Sequence, residues 1–338
     1  MNIVVDLPIP AYEPGLAALK ARGDCTVTCV TPLAVGPREL DPALASKAEI
    51  LFCGWPPPNV AQMQALRWVQ VYSTGYSQLF GLGLTERGIR ATNSRGCFDV
   101  PISEWNIAMM VNLLRNVRQM IRNQDAAIWD RAAEFQRELR GATVGLWGYG
   151  GIGRETARLC HQMGLKVHVL TRSGIKPRPH TYSVPGTGDP EGVLPDRVFV
   201  SGEELSFLGG LDFLVLSMPL TKATEGLVGE RELRALPKTC YLLNPARGPI
   251  VREEALIRAL QEGWIAGAAL DTHYKYPLPA DHPLWKMPNV ILTPHISGSN
   301  LTPRFSEMLW DLFCQNVERY ASGQPLLNKL TASQLAGD

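Results

Sequence analysis

A glycine-rich turn between a predicted strand and a predicted helix constrains the fold of this 338-residue chain more than any other feature. The apolar run Thr143–Trp147 precedes the turn, and an amphipathic helical pattern follows it. Glycines at this spacing permit a tight turn, let the backbone approach a pyrophosphate, and let helix and strand pack closely. The N-terminus of the helix adds N–H groups and the positive end of a dipole. The pattern therefore predicts a dinucleotide-binding loop formed by Gly148, Gly150, Gly151, Ile152 and Gly153.

The end of the next predicted strand indicates which dinucleotide is bound. An NAD-binding domain usually places a carboxylate there, which accepts a hydrogen bond from the ribose 2′-hydroxyl. This sequence instead has Thr171, Arg172 and Ser173, and a guanidinium with two hydroxyls suits a 2′-phosphate. The sequence therefore favours NADP over NAD. The alternative is that Arg172 stacks on adenine or faces solvent and that NAD is used.

Short β-rich runs alternate with helical patterns along almost the whole chain, which predicts parallel α/β sheets. The expected fold class is two doubly wound parallel-sheet domains, a Rossmann domain inserted into a flavodoxin-like domain. In the first part a helix is expected over residues 101–121. The predicted strands of that part are Ile3–Val5, Thr26–Val30, Ile50–Cys53, Trp68–Val71 and Ile89–Thr92. Those of the second part are Thr143–Trp147, Val167–Leu170, Phe213–Leu216, Tyr241–Leu243, Gly267–Leu270 and Val290–Leu292.

Polar residues follow the strands of the second part, and two of them suggest chemistry. The carboxyl ends of parallel strands meet at one edge of a sheet, so these residues should converge on one site. Arg247 follows the strand at Tyr241–Leu243, and a guanidinium there can hold a carboxylate by two parallel hydrogen bonds. His295 follows the strand at Val290–Leu292, and an imidazole can protonate a developing alkoxide near neutral pH.

One segment, residues 175–202, is rich in proline and glycine and shows no period. Loops of this length are uncommon in compact domains and are often functional or mobile. Because it follows the second strand of the nucleotide fold, it is expected near the adenosine end of a bound cofactor.

Composition excludes several other classes of protein. The net charge is +1 without blocks of like charge, so no nucleic-acid or membrane partner is expected. The first residues do not resemble a signal peptide, and no apolar stretch is long enough for a membrane span. Seven scattered cysteines fit reduced thiols in a cytoplasmic protein, and no histidine or cysteine spacing predicts a metal site.

From about Trp68 to Tyr320 the chain resembles the D-isomer-specific 2-hydroxyacid dehydrogenases, which include glyoxylate/hydroxypyruvate reductases. The matching motifs are Val-Tyr-Ser-Thr-Gly at 71–75, Thr-Asn-Ser-Arg-Gly at 92–96, the glycine loop, Asn-Pro-Ala-Arg-Gly at 244–248, Ala-Leu-Asp at 269–271 and Thr-Pro-His-Ile-Ser-Gly at 293–298. The resemblance implies an NAD(P)-dependent oxidoreductase that reduces a small 2-keto acid to a D-2-hydroxy acid.

The resemblance also implies an organisation and a set of roles. Residues 1–98 and 299–338 would form the substrate domain and 99–298 the dinucleotide domain, with catalysis in the cleft between them and a homodimer formed near Trp129. Ser73, Thr74 and Gly75 would bind the substrate carboxylate through backbone N–H groups, with Arg247 on the carboxylate and keto oxygen and His295 as proton donor. Further cofactor-binding positions would be Pro219, Thr224, Pro245, Ala246, Arg247, Asp271, His295, Ser297 and Gly298, with Asp271 on the nicotinamide carboxamide.

The chain departs from the family pattern at one catalytic position. The family usually carries a glutamate five residues after the aspartate, where it pairs with the catalytic histidine; here that position is Tyr276. A phenol can hydrogen-bond the imidazole but supplies no charge. Tyr276 could orient His295, Asp99 or Asp281 could replace the missing acid, or hydride transfer could be impaired.

Two other functions remain open from the sequence alone. The chain could be a dehydrogenase of another small anion such as phosphite or a phosphonate, since Arg247 and a loop of N–H donors would suit those ligands too. It could also be a dinucleotide-sensing binding protein with little turnover.

Overall fold

The computed structural model describes residues 1–34, 36–132, 136–178, 180–298 and 301–337. The chain divides into two compact units. Unit 1 comprises Met1–Phe98, Pro179–Pro185 and Ser299–Asp338, and unit 2 comprises Asp99–Arg178 and Gly186–Gly298.

Each unit is built on one parallel sheet. The sheet of unit 1 has the order β2-β1-β3-β4-β5, with strands β1 (Asn2–Asp6), β2 (Thr26–Cys29), β3 (Ile50–Cys53), β4 (Trp68–Val71) and β5 (Arg90–Thr92). The sheet of unit 2 has the order β12-β11-β10-β9-β6-β7-β8, with strands β6 (Thr143–Trp147), β7 (Lys166–Thr171), β8 (Arg197–Val200), β9 (Phe213–Leu216), β10 (Tyr241–Asn244), β11 (Gly267–Leu270) and β12 (Val290–Leu292). These are the flavodoxin-like and Rossmann strand orders, so the predicted fold class is confirmed.

Parallel strands need long crossover connections, and α-helices form several of these connections here. The described residues contain α1 (Glu13–Ala21), α2 (Pro42–Lys47), α3 (Asp99–Arg115), α4 (Val117–Asp125), α5 (Gly151–Gln162), α6 (Glu204–Leu208), α7 (Glu230–Ala235), α8 (Glu253–Gln261), α9 (Pro303–Ala321) and α10 (Ala332–Ala336). Short 3₁₀ turns lie at Pro58–Gln62, Ser77–Leu79, Gly248–Ile250 and Pro283–Lys286. No helix among the described residues is long and apolar enough to cross a membrane.

The core of unit 1 explains why the C-terminal part of the chain returns to the first sheet. Helix α9 begins after Thr302, whose hydroxyl accepts a hydrogen bond from the Phe305 amide at 3.2 Å. Its aromatic face packs on the sheet, and the Phe313 ring stacks on Phe52 with centroids 4.2 Å apart. Burial of such large side chains supplies the apolar area that holds the discontinuous unit together.

Two elements differ from the sequence-based expectation. The helix expected over 101–121 is two helices, because Asn116 between α3 and α4 has a left-handed backbone with φ of 48°. The segment 175–202 is not irregular throughout, since its residues Arg197–Val200 form β8. Its residues Val198, Phe199 and Val200 are apolar like those of the other strands, but at this edge of the sheet only Phe199 is buried. The run was missed because it is short and ends a stretch rich in proline and glycine.

The segment 175–202 also differs from the expected domain division. The predicted dinucleotide domain included all of 99–298, but residues of the range 179–185 belong to unit 1. The buried Tyr182 holds them there: its phenol donates to the Asp311 carboxylate at 2.9 Å, and its amide donates to the Asn328 side chain at 3.2 Å.

Candidate active site

The glycine loop of unit 2 joins β6 to α5 in a conformation that side chains would prevent. Gly148 has φ of 105°, in the left-handed region, and a Cβ there would lie 2.9 Å from the Ser217 carbonyl carbon. A Cβ on Gly153 would lie 2.6 Å from the Gly148 oxygen, so the helix could not pack so closely on the loop. The Ser217 hydroxyl donates to the Gly148 carbonyl at 2.7 Å and ties the turn after β9 to the loop. This cradle, which Cβ atoms would fill, fits a dinucleotide pyrophosphate.

The predicted adenosine-side residues lie at the end of β7. The Thr171 hydroxyl is buried and has no hydrogen-bond partner among the described residues. Arg172 and Ser173 are exposed beside it. This arrangement fits a ribose that carries either a 2′-hydroxyl or a 2′-phosphate.

Two predicted cofactor positions lie in the turn after β9. The Thr224 hydroxyl donates to the Pro219 carbonyl at 2.7 Å and accepts from the Thr221 amide at 2.8 Å. In this structure Thr224 therefore fixes the shape of the turn that contains Pro219.

No group of three histidine, cysteine, aspartate or glutamate side chains within the described ranges could hold a metal ion.

The turn after β10 positions Arg247. The Asn244 side chain accepts from the Ala246 amide at 3.1 Å and donates to the Arg247 carbonyl at 2.9 Å, which clamps the intervening Pro245 turn. The Arg247 guanidinium, half-buried, donates to the Ala246 carbonyl at 2.6 Å. Burial lowers the pKa of Arg247 from its ordinary value, whereas the nearby Tyr276 raises it.

The turn after β12 positions His295, and Asp271 at the end of β11 holds this turn. The fully buried Asp271 carboxylate accepts hydrogen bonds from the Thr293 hydroxyl at 2.6 Å and from the Ile296 amide at 2.9 Å. It also accepts from the amide of Ser297 at 3.0 Å and from its hydroxyl. His295 lies inside this hydrogen-bonded turn with φ of 58°, a left-handed conformation that costs energy for a residue with a side chain. Asp271 therefore presents His295 in a conformation that the chain would not adopt unaided.

Neighbouring charges act on the His295 ring, which reaches the protein surface. Loss of solvent lowers its pKa below the ordinary value, and the positive charge of Arg247 lowers the pKa further. Asp271 raises the pKa and His273 lowers it. Among the described residues Arg247 and His295 are thus close enough to interact, as the strand-end argument predicted.

Tyr276 lies beside the same group of residues. Its ring centroid is 5.5 Å from that of His295, and its hydroxyl accepts a hydrogen bond from the His273 amide at 3.1 Å. The side chain is 56% exposed. The structure therefore places a neutral phenol against the imidazole, at the position where the resemblance implied a carboxylate.

Neither candidate replacement acid is among the charges that shift the pKa of His295 in the described part of the chain. The Asp99 carboxylate lies against Gly151 at the start of α5, where a Cβ on that glycine would collide with it. Asp281 is exposed and lines a surface cavity together with Glu253 and His282. His282 itself pairs with Glu253 at 2.8 Å. The structure thus favours Tyr276 as the group that contacts the imidazole.

The predicted carboxylate-binding loop of unit 1 follows β4, at the carboxyl edge of that sheet. The Ser73 hydroxyl donates to the Gly75 carbonyl at 2.7 Å and accepts from Gln78 at 2.9 Å. The Asn93 side chain donates to the Thr74 carbonyl at 2.6 Å. The backbone amides of Thr74 and Gly75 donate to no acceptor within the described residues. The loop can therefore offer N–H groups to an anion.

Comparison with known proteins agrees with this arrangement. The sequence profile described as "D-isomer specific 2-hydroxyacid dehydrogenase, NAD binding domain" matches residues 107–297. A glyoxylate reductase of Thermofilum pendens is 32% identical over 327 residues, which cover 94% of this chain and 92% of that protein. The chain belongs to the D-isomer-specific 2-hydroxyacid dehydrogenase family. It is an NAD(P)-dependent oxidoreductase of that family, as its motifs predicted.

Solved structures show the same fold. A family protein from Aeromonas salmonicida superposes with a TM-score of 0.79 at 26% identity, covering 98% of each chain. A second, from Xanthobacter autotrophicus Py2 in complex with NADPH and MES, superposes with a TM-score of 0.75 at 24% identity and covers 98% of this chain and 99% of its own. Each of the two units therefore has the fold found in structures of this family.

Sequence reasoning missed several residues that position the site. Asn244 belongs to one of the matching motifs, but the motif did not predict that its side chain would hydrogen-bond the backbone of the turn before Arg247. Tyr149 and Asp189 form a hydrogen bond of 2.6 Å between the glycine loop and the segment 175–202. A single aspartate in an irregular segment gives no signal of such a partner.

Proposed function

We propose that the protein reduces a small 2-keto acid, of the glyoxylate or hydroxypyruvate type, to the corresponding D-2-hydroxy acid. The observation that carries this proposal is that Arg247 and His295 follow β10 and β12 at the carboxyl edge of one sheet, where Tyr276 lies beside His295 and the charge of Arg247 lowers the pKa of His295. A fixed cation beside a titratable proton donor suits an anionic substrate whose neighbouring carbonyl becomes an alkoxide. The family and its glyoxylate reductase relative support the choice of substrate class.

Each group has a defined task in this proposal. The guanidinium of Arg247 binds the carboxylate and also polarises the keto oxygen. Within unit 1, the N–H groups of the loop at Ser73, Thr74 and Gly75 are proposed as donors to an anion. When bound at the glycine loop, a reduced nicotinamide would be the source of the hydride for the keto carbon. The His295 imidazolium gives its proton to the oxygen and is left neutral. The new C–H and O–H bonds together account for the two electrons and the two hydrogens gained.

A screen of 2-keto acids with NADPH and NADH tests this function. We expect steady-state oxidation of the reduced coenzyme, followed by absorbance at 340 nm as the usual readout, with glyoxylate or hydroxypyruvate. Phosphite and phosphonates with the oxidised coenzymes serve as the comparison, although no observation favours them. Absence of turnover with every 2-keto acid, in a preparation that binds coenzyme, would refute the proposal.

We also propose that NADP is the preferred coenzyme, because Arg172 and Ser173 are exposed at the end of β7 without a carboxylate beside them. The Arg172→Gln variant should lower kcat/KM for NADPH by about tenfold, since one charge-assisted hydrogen bond to phosphate is lost at an exposed site. The value for NADH should stay within about twofold. A wild-type preference for NADH, or equal losses with both coenzymes, would contradict this assignment.

The departure at Tyr276 predicts an unusual pH dependence. Reduction needs His295 protonated, and its lowered pKa means that kcat/KM for reduction is full below that pKa and falls as pH rises through it. Tyr276→Glu adds a negative charge beside the imidazole and should raise the apparent pKa by about 1 unit or more. In the Tyr276→Glu variant, kcat/KM for reduction therefore stays high to a higher pH, and its value at pH 8 increases. The measurement is a pH profile of kcat/KM.

The matched control is Tyr276→Phe, which removes the hydroxyl that accepts from the His273 amide but adds no charge. Its inflection should stay close to that of the unsubstituted protein. If Tyr276→Glu leaves the inflection where it was, His295 is not the group that titrates in the reaction.

The homodimer and the cytoplasmic location expected from the sequence remain proposals. Exposed apolar side chains near the end of α4 support a subunit contact: Ile121 is 54% exposed, Ile128 is 56% exposed and Trp129 is 90% exposed. Such a patch is costly to leave in water and marks interaction surfaces. Sedimentation equilibrium would test it, and a concentration-independent monomer mass would exclude it.

A further inference from the structure

Residues 172–178 and 186–196, the parts of the connection between β7 and β8 that belong to unit 2, are fastened to the glycine loop. The Tyr149 hydroxyl, from the middle of the loop, donates to the Asp189 carboxylate at 2.6 Å. Asp189 is only 4% exposed, and its carboxylate also accepts from the backbone amides of Gly192 at 3.1 Å, Val193 at 3.0 Å and Leu194 at 3.1 Å. Burial alone would raise the pKa of Asp189, but the hydrogen bonds from Tyr149 and these amides lower it below its ordinary value. The carboxylate is therefore a fixed anchor of the segment.

A second anchor comes from the first turn of α5. The buried Arg154 guanidinium donates to the carbonyls of Lys176 at 2.6 Å and Pro190 at 3.3 Å, and also to the carbonyl of Asp189. It lies over the Tyr149 ring, 5.0 Å from the centroid, in a cation–π contact. Backbone carbonyls on both sides of residues 179–185 thus bind the same guanidinium, and breaking these contacts would leave a buried charge uncompensated.

The next residue of α5 adds a third anchor. The fully buried Glu155 carboxylate accepts from the Gly188 amide at 2.6 Å and pairs with Arg158. Two consecutive charged residues at the start of the cofactor helix are therefore turned towards the segment. The part of the segment in unit 2 is therefore packed on the dinucleotide-binding loop and its helix.

This anchoring brings one further cation to the glycine loop. The Nη1 atom of Arg178 lies 3.7 Å from the position that a Cβ would take on Gly150. Gly150 is the loop residue whose bare backbone lets a pyrophosphate approach, and α5 begins at the next residue. The guanidinium and the amides at the start of α5 consequently border the same small space.

We propose that Arg178 is a cofactor-binding residue that holds the pyrophosphate of the dinucleotide against the glycine loop. The pyrophosphate carries two negative charges, whereas the helix N-terminus supplies only partial positive charge. A guanidinium can bind two phosphate oxygens at once, and Arg178 is half-buried, so its charge is screened less than that of exposed Arg172.

The role differs from that proposed for Arg172. Arg172 would contact the 2′-phosphate alone, so its removal affects NADPH and leaves NADH unchanged. Arg178 would contact a group that NADH, NADPH and ADP share. The assignment rests on the dinucleotide-binding domain and not on the identity of the keto acid, so failure of the substrate screen would leave it standing.

Equilibrium binding of nucleotide fragments tests the proposal without turnover. Dissociation constants of NADH, NADPH, ADP and 2′-AMP are measured by calorimetry for the unsubstituted protein and for Arg178→Gln. We expect the affinity for NADH, NADPH and ADP to fall by about 10- to 100-fold in Arg178→Gln, the loss of a charge-assisted bond. The affinity for 2′-AMP, which lacks a pyrophosphate, should change less than about twofold.

Lys176→Gln is the matched control, because it removes a charge from the same segment while Arg154 binds only the Lys176 carbonyl. It should leave ADP binding within about twofold, since its exposed charge is screened. Arg172→Gln should give the opposite pattern, with losses for NADPH and 2′-AMP only.

Two results would overturn the proposal: an unchanged ADP affinity in Arg178→Gln, or a loss confined to NADPH and 2′-AMP, which would make Arg178 a reader of the 2′-phosphate. Circular dichroism and thermal unfolding establish that the variant is folded. If it is not, Arg178→Lys decides the question: a several-fold weaker ADP affinity with unchanged 2′-AMP binding supports the role, because the charge stays but the two-pronged geometry is lost, and an unchanged ADP affinity excludes it.

Discussion

Replacing Arg247 by glutamine should lower kcat/KM for 2-keto acid reduction by about 10²- to 10⁴-fold, corresponding to roughly 3–5 kcal/mol of lost transition-state binding. The guanidinium is half-buried in a turn that Asn244 clamps, so its position is set before substrate arrives. It is proposed to bind a carboxylate and a developing oxyanion at once, and glutamine supplies no charge for either. Because the oxyanion forms only in the transition state, kcat should fall as well as 1/KM.

Arg247→Lys should recover only a small part of this loss, because an ammonium cannot make two parallel bonds to a carboxylate. Arg258→Gln on α8 is the control, since Arg258 is exposed and pairs with Glu230 and Glu262 at the surface. Steady-state kinetics with coenzyme binding measured separately distinguishes substrate effects from coenzyme effects. A loss confined to KM, with kcat unchanged, would mean that Arg247 anchors the substrate without stabilising the transition state.

Much of the fold could be predicted because its strands are buried on both faces. A run such as Ile50–Cys53 is apolar at every position, and its four residues are all buried in β3. The strand β8 was missed although Val198, Phe199 and Val200 are apolar, because this short run ends the segment 175–202, which is rich in proline and glycine. The break between α3 and α4 depends on the backbone of Asn116 alone, which apolar periodicity does not report.

The candidate site was predictable where it depends on which side chain ends a strand, as for Arg247 and His295. It was not predictable where backbone groups do the positioning. The Asp271 carboxylate binds the amides of Ile296 and Ser297, and every residue type other than proline offers such an amide. The sequence consequently implied only a role for Asp271 at the nicotinamide carboxamide, a role that stays a prediction. Likewise, the bond between Tyr149 and Asp189 joins residues 40 positions apart and exists only once the segment has folded back.

The second large loss of activity is expected on substitution of Asp271. Asp271→Asn should lower kcat by about 10²-fold and the free energy of unfolding by roughly 2–3 kcal/mol. The carboxylate accepts four hydrogen bonds from the turn around His295, and an asparagine amide group would turn a donor towards some of those donors. His295 sits in that turn with φ of 58°, a conformation that costs about 1–3 kcal/mol unless the surrounding structure enforces it. Without the carboxylate the turn can relax, and the imidazole moves away from its working position.

Binding measurements distinguish this positioning role from a direct contact to the nicotinamide. If Asp271 acts through His295, Asp271→Asn lowers kcat while the dissociation constants of ADP and the reduced coenzyme change little. If Asp271 instead binds the carboxamide, the affinity for the reduced coenzyme falls. The affinity for ADP, which has no nicotinamide, stays the same. Asp281→Asn makes the same change in charge at an exposed site and should alter neither kcat nor stability. Since each oxygen of the Asp271 carboxylate already accepts two hydrogen bonds within the chain, the structure favours the first outcome.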